Sequence, residues 1–247
     1  MCTVTLVPTK ENGFILTSNR DEAIGRKTLL PEFYQINKTR MLFPKDAVAG
    51  GTWIGLSDKK TMICLLNGGF EAHKRKISYR KSRGVVVKDL LETDDLIKAM
   101  GIYDYKGVEP FTIIAANWKS NLNFLELVWD GKEKHIRNLK KETHIWSSST
   151  LYTQEMKKLR QTWFHSFQEE NLLTEKSLLG FHKKAGIGNK NVDLQIDRGG
   201  LKTRSITQIV KNDDELSLRY ENLQKKEVNK VSFEERVVSL KASDTSS

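Results

Sequence analysis

The sequence predicts an α+β layered domain with a mostly antiparallel sheet core. Two observations carry this reading. β-branched and apolar runs open and close the chain while helical periodicity is confined to its middle, and no internal repeat or low-complexity linker interrupts that order. Strands first, helices next and strands last suit an α+β domain better than a doubly wound α/β fold. At 247 residues the chain can bury a substantial core, expected as one domain over residues 1–240. The remaining "KASDTSS", 241–247, is a polar tail expected to fray.

Taken in order, "CTVTLVP" and "GFILTSN" are β-branched, and "TKENG" supplies a glycine-containing turn, so residues 2–18 form an antiparallel hairpin. Residues 19–50 read as irregular because Pro31 and Pro44 discourage regular structure. Two further strands follow over 52–56 and 61–66, with a turn near Asp58 and glycine pairs at both ends. Residues 84–100 read as helical, as one piece or two, from the spacing of Val85, Leu90, Leu91, Leu96 and Ile97, with an N-cap in Thr93-Asp94-Asp95. "FTIIAANW", "NFLELVWD" and "KHIRNL" predict a three-stranded meander. A helix is expected over 153–168, with Met156, Leu159, Trp163 and Phe167 as its core stripe, and a shorter one over 174–183. "TRSITQIVKN" and "ELSLRYEN" close the chain as a hairpin around "DDE".

Composition narrows the function classes. Hydrophobic content of 38% and charged content of 29% fit a soluble globular chain and not a disordered one. No apolar run is long enough to cross a bilayer and no signal-peptide pattern opens the chain, so a cytoplasmic or organelle-matrix location is expected. Two cysteines, Cys2 and Cys64, offer neither a disulfide framework nor a zinc spacing, as in a reduced compartment. The formal charge of +10 raises phosphate-bearing partners, but basic residues are interleaved with acids, so no specific nucleic-acid partner is expected. One stretch departs from this: "HKRKISYRKSRG", 73–84, packs six Lys or Arg into twelve positions. It reads as a solvated loop, as a site for an anionic ligand or, less favoured, as a nucleic-acid contact.

The N-terminus carries the chemistry. If the initiator methionine is removed, Cys2 becomes a residue whose thiol sits beside its own α-amine, with an ordinary pKa near ~8 that lets the amine accept the thiol proton. The hairpin returns its second strand to the start of the first, which brings Arg20 and Asp21 of "SNRDE" to Cys2. Arg20 can stabilise the thiolate, and Asp21 can hold the α-ammonium. The residues also admit a plainer reading, a small buried cysteine and a surface ion pair.

The Met-Cys start, "SNRDE", "GGTWIGLS", "LLNG", "SRG" before a helix, "FTIIAA" and "TRSITQIV" together resemble the NRDE family, also called the transport and Golgi organisation protein 2 family. The matches run in order across about four fifths of the chain. That family is similar to N-terminal-nucleophile hydrolases, which implies a four-layer αββα sandwich and, from their cysteine branch, an amidohydrolase acting through a thioester. The resemblance makes Cys2 the nucleophile, with Arg20 and Asp21 its charged partners, and puts Asn67 at the oxyanion-hole position. By its neighbours alone Asn67 also suits a turn before Gly68-Gly69. Ser148, in "IWSSST", stands where related sequences tend to carry asparagine, and its hydroxyl can still donate.

The family's associations imply alternatives of another class: a haem-binding or haem-trafficking protein, or a binder of an acyl-CoA-like or other lipid ligand. Hydrolysis itself needs no cofactor and no metal, and haem enters only as a ligand. Haem would be noncovalent, since no C-x-x-C-H motif exists, with His73 and His144 as candidate ligands. Arg80 and Arg83, at the start of a helix, could hold phosphates. Asn19, Glu22, Trp53 and Ser148 complete the expected ligand-contacting set, Trp53 as core or as pocket wall. The partner is therefore a small-molecule amide, haem or an acyl-CoA-like anion, and the sequence sets neither the substrate nor the oligomeric state.

Overall fold

A computed structural model of the chain describes residues 3–10, 12–213 and 215–234. Cys2 and the expected tail at 241–247 lie outside the described residues. Strand β1 (Thr3–Thr9) pairs antiparallel with β2 (Gly13–Ala23), in a register that sets Thr3 opposite Asn19. Because side chains alternate across a strand, β1 and β2 each present two faces. Val4, Leu6, Phe14 and Leu16 join one buried cluster, while Val7 and Ile15 join another. β10 (His144–Ser147) pairs with the free edge of β1, and β11 (Leu201–Lys211), β12 (Leu216–Asn222) and β13 (Glu227–Ser232) continue beyond β2. The result is a six-stranded sheet in the order β10-β1-β2-β11-β12-β13.

The second sheet has seven strands in sequence order: β3 (Thr28–Ile36), β4 (Thr39–Asp46), β5 (Ile54–Ser57), β6 (Thr61–Asn67), β7 (Phe111–Asn117), β8 (Asn123–Trp129) and β9 (Lys134–Leu139). Leu42, Ile54, Met62, Cys64, Ile114 and Phe124 from its inner face meet Val4, Leu6, Phe14, Leu16 and Leu218 of the first sheet. Each such fully buried side chain contributes about 1.5–3 kcal/mol relative to exposure. The outer face, through Met41, Phe43, Ile63, Leu65 and Ile113, packs on α1 (Arg83–Leu91) and α2 (Leu96–Ile102). On the other outer face Val7, Ile15 and Val210 pack on Phe164 of α3 (Gln154–Glu170) and on Leu178 and Phe181 of α4 (Glu175–Lys184). Helices, sheet, sheet, helices: the chain is a four-layer αββα sandwich.

Local chemistry starts the helices where the spacing places them. Thr153 caps α3 by accepting from the Met156 amide at 3.3 Å, Thr174 forms a capping box with Ser177, and Asp95 accepts from Lys98 N at 3.0 Å. One expectation is corrected. Residues 19–50 are largely strand, since β3 and β4 lie within them. The prolines are tolerated because β3 is an edge strand, and the pairing shifts register between Leu29 and Glu32, where Pro31 needs no ladder donor. Pro44 lies beyond the β4–β5 rungs, which are Met41 with Ser57 and Leu42 with Leu56. In α3 Arg160 and Phe164 are fully buried, while Met156, Trp163 and Phe167 of the expected stripe are half-buried and pack against the buried clusters, and Leu159 is half-buried. The helix turns one polar group into the interior where it is needed below.

Candidate active site

Alternation in β2 splits the NRDE run between two environments. Arg20 follows Leu16 and Ser18 onto the face between the sheets, whereas Asn19 and Asp21 follow Ile15 and Thr17 toward the helices. Both charged groups are buried, Arg20 at 3% and Asp21 at 2% exposure. Two charges so placed need specific partners.

Arg20 finds them on β2, β3 and β4 and at Trp53. Its Nη2 donates to Asp46 Oδ2 at 3.1 Å and lies 3.5 Å from Glu22 Oε2, its Nη1 donates to Thr28 Oγ1 at 3.1 Å, and its guanidinium covers the Trp53 ring at 4.1 Å. Burial pulls its pKa below the ordinary arginine value, with Glu22 and Asp46 opposing. Arg26 Nε shares Asp46 Oδ2 at 2.8 Å, and the amides of Val48 and Ala49 donate to Oδ1 at 3.0 and 2.9 Å. Although burial raises the Asp46 pKa, those donors outweigh it and hold the carboxyl below its ordinary range.

Asp21 accepts from the hydroxyls of Tyr152 and Thr203. Beneath Tyr152 lies Arg160, fully buried, its guanidinium 3.5 Å from the ring centroid. Arg160 donates to Thr3 Oγ1 at 2.7 Å and to the carbonyls of Val192 and Asp193 at 2.9 and 2.8 Å. Asn19 ties β2 to α4: its Nδ2 donates to the carbonyls of Leu194 and His182 at 2.7 and 3.1 Å, and its Oδ1 lies 2.8 Å from His182 Nδ1. His182 Nε2 lies 2.8 Å from Thr5 Oγ1. Burial, reinforced by the Arg160 charge, lowers the His182 pKa to about 3, so the ring is neutral. Tyr152, Arg160 and His182 were not singled out from the sequence as site residues, because their partners are remote in the chain and no spacing signals them.

Arg20, Glu22, Trp53, Asn67, His73 and Arg83 line one cavity of about 610 Å³, within the range of small-molecule sites. Trp53 is both core and cavity wall, 5% exposed and a member of the inter-sheet cluster. The basic segment forms the far side: Arg75, Ile77, Tyr79, Lys81 and Arg83 line it, where α1 begins. That helix start is held by a close backbone approach, since a Cβ on Gly51 would stand 2.5 Å from the Gly84 carbonyl carbon. Five lining arginines and lysines (Arg20, Arg26, Arg75, Lys81, Arg83) face three carboxylates (Glu22, Asp46, Glu109), and since Lys81 is itself paired with Asp89 at 2.7 Å, the cavity keeps an excess of one positive charge. Arg83 pairs with Glu109 at 3.1 Å, and burial lowers its pKa.

Asn67 stands at the end of β6, and among the described residues its side-chain amide has no partner. Its carbonyl accepts from Ser148 Oγ at 2.7 Å, and Gly68, at φ +86°, starts the turn away from the cavity. The remaining expected residues stand elsewhere. Ser148 spends its hydroxyl hydrogen on Asn67 O and lines a second cavity. Asn19 points to the helices. Arg80 is turned to Asp104, at 3.1 Å, and to the carbonyls of Asp104 and Lys106. His73 lies 3.2 Å from Glu109 Oε1, while His144 lies in the second cavity, 3.0 Å from the Lys140 carbonyl, so the two histidines do not face one space. Cys64 is fully buried and its thiol is pushed up to about 12, which leaves it un-ionised. Among the described residues no helix is long and apolar enough to cross a membrane, and no group of three or more His, Cys, Asp and Glu is placed to hold a metal.

Comparison with known proteins agrees with this geometry at the level of fold. The family model described as Transport and Golgi organisation 2 matches residues 1–231. No curated protein matches the sequence. Among solved structures, penicillin V acylase from Agrobacterium tumefaciens is similar with a TM-score of 0.57 at 11% identity, over 94% of this chain and 86% of that one. The Caenorhabditis elegans ortholog of N-acylethanolamine-hydrolyzing acid amidase has a TM-score of 0.57 at 14% identity, over 84% and 92%. A mutant conjugated bile acid hydrolase from Clostridium perfringens has a TM-score of 0.53 at 8% identity, over 94% and 92%. At these identities the likeness shows a shared N-terminal-nucleophile hydrolase fold.

Proposed function

The chain belongs to the transport and Golgi organisation 2 family, and from that premise we propose that it is an amidohydrolase whose nucleophile is the thiol of Cys2. The observation that carries the proposal is the division of Arg20 and Asp21 between the two faces of β2, one and two residues past Asn19, the partner of Thr3. One charge enters a cavity that also holds an unpartnered Asn67 amide, and the other is held by Tyr152 and Thr203 on the opposite face. A thiol and an amine on one residue need those two kinds of support from two directions.

The steps follow from these roles. Removal of Met1 frees the Cys2 α-amine, which takes the thiol proton, while the Arg20 charge favours the thiolate and Asp21 orients the ammonium. The thiolate attacks the amide carbonyl, and Asn67 Nδ2 donates to the developing oxyanion. The ammonium returns the proton to the leaving nitrogen, the C–N bond breaks and a thioester remains on Cys2. Water, deprotonated by the same amine, attacks the thioester to release the acid and restore the thiol.

Intact mass spectrometry of protein made in cells is expected to show loss of Met1, and Cys2→Ala is expected to abolish release of amine from N-acyl amides. Retained Met1, or amide turnover that survives Cys2→Ala, refutes the reading. The cationic excess of the cavity favours a second, non-enzymatic reading: binding of an anionic ligand such as haem or an acyl-CoA-like molecule. His73, which lines this cavity and whose Nδ1 has no hydrogen-bond partner among the described residues, would be the haem ligand. Titration with haem decides it, because an unshifted Soret band at micromolar protein removes haem, and unchanged protein fluorescence on adding acyl-CoA removes the other.

A further inference from the structure

Apart from Asn67, the one described residue lining both cavities, the second cavity of about 360 Å³ takes no part in the scheme above. Its walls combine apolar rings with an uncompensated charge. Phe70, Val128 and Trp146 supply the apolar part. The Trp146 ring is fixed by donating to Glu126 Oε1 at 2.7 Å and by stacking on His144, with centroids 5.2 Å apart.

Among the described residues Glu126 is the only carboxylate lining this space, and it is already consumed: one oxygen takes the Trp146 N–H and the other takes Arg137 Nε at 2.5 Å. Lys157, half-buried on the first turns of α3, therefore faces the cavity without an ion pair or hydrogen bond among the described residues. Burial lowers its pKa below the ordinary lysine value. Gln161, one turn along on the same face, adds an amide that is likewise unpartnered among the described residues. An ammonium half out of water with no counter-ion is a site for an anion, and the walls beside it suit an apolar group.

We propose that this cavity binds a small apolar group bearing a carboxylate, an aryl- or alkylcarboxylate, with the carboxylate on Lys157 and Gln161 and the apolar part against Phe70, Val128 and Trp146. The bound group ends beside the Asn67 amide. The site is built without Cys2, Arg20 or Asp21, so it stands or falls independently of the proposed hydrolysis.

Calorimetric titration of the full chain at physiological salt, with 3-phenylpropionate and its neutral counterpart 3-phenylpropanol, tests it. The acid is expected to bind about tenfold more tightly than the alcohol, a difference of about 1.4 kcal/mol. Lys157→Met should remove that preference by weakening the acid alone, Lys157→Arg should restore most of it, and Gln161→Glu should weaken the acid and spare the alcohol. Equal affinity for acid and alcohol, no saturable binding of the acid, or an acid affinity unchanged by Lys157→Met would each overturn the assignment.

Discussion

Arg160→Met tests how the start of β1 is held in place. Among the described residues Arg160 is the largest fully buried side chain, and no carboxylate among them pairs with it. Its charge is met instead by the Tyr152 ring at 3.5 Å, the Thr3 hydroxyl at 2.7 Å and the carbonyls of Val192 and Asp193 at 2.9 and 2.8 Å. Methionine keeps much of the apolar stem but donates nothing, which leaves three buried acceptors without their donor. At about 1–3 kcal/mol for each orphaned group, reduced because a water can enter the vacated space, the expected loss is about 3–5 kcal/mol. Urea unfolding followed by far-UV circular dichroism at pH 7 should therefore show a clear fall in midpoint at unchanged slope. A loss below about 1 kcal/mol would refute the claim that this guanidinium is the anchor of Thr3 and of the Tyr152 ring.

Other outcomes follow from the same geometry. Asn67→Ala should lower amide turnover by about 10²–10³-fold while moving the unfolding midpoint little, since the side-chain amide supports nothing else in the described structure. Gly68→Ala should cost about 2–3 kcal/mol, because the residue sits at φ +86° and an added Cβ would meet Ser149 Oγ and stand 2.9 Å from Thr150 Cγ2; denaturant midpoints measure it. His182, with its folded pKa lowered to about 3 from 6.5, binds its proton in the unfolded chain first. Stability is therefore fully present above pH 6.5 and is lost as pH falls toward 3, at up to about 1.4 kcal/mol per pH unit from this group. Unfolding midpoints between pH 7 and 4 should show that slope in the wild type and a shallower one in His182→Gln.

Much of the fold was legible in local pattern. The first hairpin, the β7–β9 meander, the last hairpin and the capped starts of α2, α3 and α4 are all set by residues within a few positions of one another, where alternation and side-chain caps act. β3 and β4 were not, because the sequence shows Pro31 and Pro44 but not that the first meets a register shift on an edge strand and the second lies past the last rung to β5. The α3 stripe was legible in part. Periodicity sets Met156, Trp163 and Phe167 against the core, but only the packing of the layers buries Arg160 fully beside Phe164.

The candidate site divides in the same way. The sequence by itself determined that Arg20 and Asp21 stand at the end of β2 beside the start of β1, because an antiparallel turn brings the two strand ends together, and strand alternation alone puts their side chains on opposite faces. Only the tertiary structure decided what each face contains. Asp46 and Trp53 come to Arg20 from the second sheet, Tyr152 and Thr203 come to Asp21 from segments more than a hundred residues away, and the basic run at 73–84 closes over Arg20 because Gly51 and Gly84 let two backbones touch. Those contacts join distant parts of the chain by packing of whole layers, which no short-range pattern encodes.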